Sequence, residues 1–204
     1  MPSDDELSLV KLEKRFNAAQ AAALAADEQV TRALEGLAKA MERQAAARAK
    51  LLSAWTSKLS LMEQLAFDPT SRVNKSQLTI EKRRVAEFEA ALGALREVQA
   101  GLVSLVAAHG SFLSAKGATV EAREVEIRTW ERFAKAVFRM RKMSNRLQDD
   151  EKFRQAEEEV RQLDQELDRA TATAVAATNG LGEEIRALDE AWERFAGAIR
   201  PHAA

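Results

Sequence analysis

The chain has 204 residues, a net charge of −1 and a pI near 6.2, with 46% apolar residues but only 5% aromatic ones, and no cysteine. A balanced charge excludes bulk attraction to nucleic acid or lipid, so any such attraction must come from local clusters. The absence of cysteine excludes a disulfide framework, thiolate catalysis and a zinc finger.

Ala, Glu, Arg, Lys and Leu dominate, which is the composition of long helices or coiled coil. Proline occurs only at Pro2, Pro69 and Pro201, leaving two runs of more than sixty residues without the strongest helix breaker. No run approaches eighteen consecutive apolar residues, and the acidic MPSDDEL start is not a signal or transit peptide. The expectation is a soluble, cytoplasmic protein.

Ser3 followed by Asp4, Asp5 and Glu6 reads as a capping box, so the first helix is expected over about 4–66. Apolar or small residues recur at Leu9, Leu12, Phe16, Ala19, Ala23, Ala26, Val30, Leu34, Leu37, Met41, then Leu51, Trp55, Leu59 and Met62. Alternating steps of three and four predict a coiled-coil seam. On another stripe Arg32, Lys39, Arg43 and Lys50 project from one face, and no acid lies between Arg43 and Lys58.

FDPTSRVNKSQLT breaks the pattern, so residues 67–78 are expected to connect and Thr79 to cap a second helix over about 79–147. Its stripe includes Phe88, Leu92, Leu95, Leu102, Val106, His109, Leu113, Ile127, Trp130 and Val137. One helix of that length measures on the order of 100 Å at ~1.5 Å per residue. A third helix is expected over about 150–200, opened by Asp149, Asp150 and Glu151. Its seam reads Phe153, Ala156, Val160, Leu163, Leu167, Ala170, Ala174, Ala177, Leu181, Ile185, Leu188, Trp192, Phe195 and Ile199. The fold class is all-α, with three long antiparallel helices in a coiled-coil bundle. Ala-rich seams bury little area per turn, so a dimer is expected.

Catalysis, cofactors and metals are not expected. His109 sits on an apolar stripe and His202 beside the C-terminus, and Glu157, Glu158 and Glu159 splay around a helix rather than converging. No phosphate loop or nucleophile elbow is present. Met140 and Met143 read as packing residues.

The candidate site is the stretch Arg128–Leu147, where seven Arg and Lys accompany one acid, Glu131. Arg128, Arg132, Lys135, Arg139 and Lys142 form a continuous helical face, Arg141 and Arg146 add charge around the end, and no acid lies between Glu131 and Asp149. Lys152 and Arg154 continue the cluster past the turn. The bland alternative is a solvated helix surface neutralised by nearby acids.

At these residues the chain resembles the BAR-domain family, most closely the sorting-nexin type. Thr129-Trp130-Glu131-Arg132-Phe133 looks like the Thr-Trp-x-x-aromatic segment late in the family's second helix, and Ala191-Trp192-Glu193-Arg194-Phe195 before Pro201 looks like its aromatic C-terminal end. The resemblance implies a crescent homodimer with a six-helix bundle at its centre, or a dimer with a related BAR protein. It further implies a peripheral protein that senses or generates curvature of anionic phospholipid membranes, on endosomes and with trafficking-coat subunits in the sorting-nexin case. Carried over, Arg132, Lys135, Arg139, Arg141, Lys142, Arg146, Lys152 and Arg154 form the membrane-binding tip, Arg32, Lys39, Arg43 and Lys50 a concave strip, and Trp55, Phe88, Trp130, Phe133, Trp192 and Phe195 the dimer or core set. The chain departs from the family in having nothing that matches a PX domain, so no headgroup specificity is implied. A structural or adaptor coiled coil is the alternative. Nucleic acid is not an expected partner, because no aromatics interleave the basic face.

Overall fold

The computed structural model describes residues 4–67, 73, 75–144 and 151–200. They form three helices, α1 (Asp4–Ala66), α2 (Lys75–Ser144) and α3 (Glu151–Ile199), with no strand among the described residues. The expected caps at Ser3 and Asp149-Asp150, half of the 67–78 connection, Arg146, Pro201 and His202 lie outside the described residues. α2 begins at Lys75, earlier than expected. Thr79 is therefore not its cap: it lies one turn inside, where its Oγ1 donates to the Lys75 carbonyl at 2.9 Å. Nothing in Lys75-Ser76-Gln77-Leu78 forbids a helix, and Pro69 lies upstream of it.

The chain divides into two compact units, Met1–Val30 with His109–Leu188 and Thr31–Ala108 with Asp189–Ala204. In the first unit α1 and α2 run antiparallel, with Lys14 against Glu131 at 2.6 Å, Asn17 against the Val120 carbonyl at 3.2 Å, and Asp27 against Lys116. α3 returns along α2, so that Glu159 meets Arg139 at 2.8 Å, Glu166 meets Arg132 at 3.1 Å, and the Ala177 carbonyl accepts from Thr119 Oγ1 at 3.1 Å. The core of this unit is small-residue and thin: Ala134, Ala136, Ala170 and Ala174 are buried beside Val10, Ile127 and Leu163. Alanines let helices approach closely but remove little apolar area from water, at about 25 cal/mol per Å².

In the second unit Trp55 of α1 meets Phe88 of α2 edge to face, with centroids 5.3 Å apart, and Lys82 pairs with Glu63 at 2.6 Å. Leu102 and Leu105 are fully buried, joined by Leu92, Ala45 and Ala191. α3 packs against Gly101, where a Cβ would lie 3.4 Å from the Phe195 Cα and 3.5 Å from its ring. A Cβ there would sit at ordinary van der Waals contact with Phe195, so a methyl group just fits and a larger side chain does not.

Two seams differ from expectation. On α1 the residues turned inward in the first unit are Val10, Glu13, Asn17, Gln20, Leu24 and Asp27, while the expected Leu9, Leu12, Phe16, Ala19, Ala23, Ala26 and Val30 are exposed. In the second unit the inward set is Thr31, Leu34, Ala38, Met41, Ala45, Arg48, Leu52, Trp55, Leu59 and Met62, so the expected Leu34, Met41, Trp55, Leu59 and Met62 do face in, whereas Leu37 and Leu51 do not. Both inward sets keep steps of three and four. The heptad period is right and its phase, early in α1, is not. On α3 the seam holds from Phe153 to Leu181 and then continues through Glu184, Leu188, Ala191, Phe195 and Ala198. Ile185, Trp192 and Ile199 are exposed and Ala191 is buried, because the seam keeps its strict alternation instead of slipping one residue to reach larger side chains.

Candidate functional site

Each predicted cation among the described residues is placed by one of the long helices, Arg146 lying outside them. Arg132, Lys135, Arg139, Arg141 and Lys142 lie on the last turns of α2, and Lys152 and Arg154 on the first turns of α3. All seven are exposed. The antiparallel return of α3 sets acids against this face. Arg139 pairs with Glu159 at 2.8 Å and Arg132 with Glu166 at 3.1 Å, both across α2 and α3. Within α2, Lys135 pairs with Glu131 at 3.0 Å and Arg128 with Glu124. Lys142 Nζ stands 4.4 Å from the centroid of the Phe138 ring, a cation–π contact, and Arg154 makes no ion pair among the described residues.

Glu131 receives two ammonium groups, Lys14 at 2.6 Å from α1 and Lys135 at 3.0 Å from its own helix. The hydrogen bond from Lys14, and then that from Lys135, holds its carboxyl below the usual carboxylate range. The single acid of the basic stretch thus ties the start of α1 to α2.

The strip differs. Arg32, Lys39, Arg43 and Lys50 all belong to the second unit, all are exposed, and they lie on the side of α1 away from its inward seam. Lys39, Arg43 and Lys50 make no ion pair among the described residues. Arg48, absent from the expected set, lies in the inward seam, half-buried, on the opposite side of α1 from the strip.

The aromatic set is split between the units. Trp55 and Phe88 are half-buried together, and Trp130 and Phe133 are half-buried on the side of α2 opposite Arg132 and Arg139. Trp192 is 42% exposed and touches Phe195 edge to face with centroids 6.0 Å apart. His109 is buried, with its ring 5.8 Å from that of Phe112. No group of three or more His, Cys, Asp or Glu arranged to hold a metal occurs among the described residues.

The concavities are shallow grooves between helices. One of about 640 Å³ between α2 and α3 is lined by Val125, Thr129, Arg132, Glu166 and Thr173, and one of about 450 Å³ between α1 and α2 by Lys14, Asn17, Ile127 and Glu131. Neither assembles a nucleophile with a base. α2 contains an 18-residue window of mean hydropathy 1.3 that is 17% buried, apolar and long enough by composition to cross a membrane. Its surroundings speak against a span: Gly101 packs on Phe195, in a stretch of α3 bearing Asp189, Glu190, Glu193 and Arg194, charges that hydrocarbon excludes.

Comparison with protein-family models, with curated proteins and with solved structures returns no match.

Proposed function

We propose that this chain is a homodimeric helical scaffold that docks on anionic membranes through the strip of Arg32, Lys39, Arg43 and Lys50. The observation that carries the reading is that Lys39, Arg43 and Lys50 are exposed, aligned on one helix face and without an acid partner among the described residues. Each basic side chain near an anionic leaflet contributes about 1 kcal/mol within a Debye length. One strip binds marginally, and a dimer presenting two strips binds with avidity. On the BAR resemblance, the same scaffold serves curved membranes, with the tip cations as secondary contacts.

The test is co-sedimentation with phosphatidylserine-containing vesicles. Binding that falls with salt and is lost in the Lys39→Glu, Arg43→Glu, Lys50→Glu variant supports the reading. Binding that ignores both would remove it in favour of an adaptor coiled coil. That second reading has its own support, since the cross-helix pairs of Arg132 and Arg139 with Glu166 and Glu159 neutralise much of the expected tip.

A further inference from the structure

In the first unit α1 and α3 are held against α2 by different means. From Phe153 to Leu181 the inward side of α3 is apolar throughout, whereas four of the six inward residues of α1, Glu13, Asn17, Gln20 and Asp27, are polar. The other two are Val10, which is buried, and Leu24, which lies over Gly117. Beyond Thr31 the inward side of α1 changes to Leu34, Ala38, Met41 and Ala45.

The polar residues are poorly matched to their surroundings. Glu13 and Gln20 make no hydrogen bond or ion pair among the described residues. Asn17 is 8% exposed, and its Nδ2 donates to the Val120 carbonyl at 3.2 Å. That carbonyl can only accept, so the bond fixes which way round the amide lies and leaves Oδ1 as an acceptor, buried and without a donor. Such an acceptor costs at least as much as an ordinary hydrogen bond returns, and opening to water removes the cost. The remaining ties, Lys14 with Glu131 at 2.6 Å and Asp27 with Lys116, are partly exposed and exchange for water with little net loss.

We propose that residues 4–30 of α1 are a strap that releases from α2 as one segment, while α2 and α3 stay paired and α1 beyond Thr31 stays docked. Release uncovers a face of α2 bearing Val120 and Ile127, which the closed strap occupies. This conformational device belongs to the first unit and does not depend on the membrane reading.

Hydrogen exchange followed by mass spectrometry tests it on the whole chain. In the wild type, amides over residues 8–30 share one low level of protection, protection steps up beyond Thr31, and residues 109–144 and 151–188 stay well protected. A smooth gradient from the N-terminus without a step is ordinary fraying of a helix end and overturns the proposal, as does equal protection in all three helices of the unit. Asn17→Leu separates the cause. It removes the buried acceptor and strands no new one, because the Val120 carbonyl also receives the Glu124 N–H within α2. Protection over residues 8–30 then rises by about tenfold, with α2 and α3 unchanged. Should that variant fail to fold, Gln20→Leu, in the groove it lines with Ile127 and Leu181, carries the same expectation of a rise. Protection that falls or does not move in a folded variant overturns the strap, because the polar residues would then be what holds α1 in place.

Discussion

The end of α2 and the middle of α1 each carry a line of exposed cations, and they differ in what the fold sets beside them. Near the end of α2, Arg132 and Arg139 face Glu166 and Glu159 on α3, and Lys135 shares Glu131 with Lys14. Along α1, Lys39, Arg43 and Lys50 point away from the neighbouring helix and meet no acid among the described residues. The denser cluster in sequence is the more neutralised one in space. Local charge density is therefore a poor guide to the field a ligand meets when a partner helix brings the opposite sign.

Several substitutions test that contrast. The largest effect is expected from Lys39→Glu, Arg43→Glu and Lys50→Glu together. At about 1 kcal/mol per cation, removing three weakens binding to anionic vesicles by roughly 100-fold, before the added repulsion. A titration by vesicle sedimentation checks it, and a change within threefold would erase the distinction between the regions. Next, Glu159→Gln with Glu166→Gln frees two cations at the end of α2 and, at about 1 kcal/mol each, strengthens vesicle binding by roughly 30-fold. No gain would mean that the paired arginines were never the limiting charge.

A smaller effect concerns Glu131. Its pKa is lowered by Lys14 and Lys135, so its stabilising contribution is fully present above the ordinary value near 4.5 and is lost as pH falls through the lowered one. Hydrogen exchange of the first turns of α1 is expected to rise over that acid range in the wild type and to be insensitive to it in Glu131→Gln. The smallest effect is expected for Arg139→Gln with Glu159→Gln. Both partners are about half exposed, at 58% and 46%, and such a pair contributes about 1 kcal/mol or less, so vesicle binding and stability should move by no more than about fivefold in their equilibrium constants.

Much of the fold was legible because helix signals are local. Proline spacing and apolar steps of three and four placed three helices, and the observed bounds of α1 and α3 fall within a residue or two of those expected. The start of α2 was missed because Ser76 and Gln77 are compatible with a turn and with a helix alike, and Thr79 resembles a cap whether or not it is one. The inward side of early α1 was missed for a different reason. A stripe of Leu9, Leu12 and Phe16 declares that some helix covers it without saying whether that helix belongs to the same chain. At the candidate site, the exposed strip was readable from its spacing, while the acids facing Arg132 and Arg139 were not.

What the sequence determined by itself was the period: composition and heptad spacing depend on neighbours three and four residues away, and they specify helices with a coiled-coil repeat. Tertiary structure decided the phase and the charge balance. Both depend on residues far away in the chain, such as Glu159 and Glu166 returning beside α2 and Phe195 closing on Gly101, and no local pattern encodes which distant side chain will stand opposite.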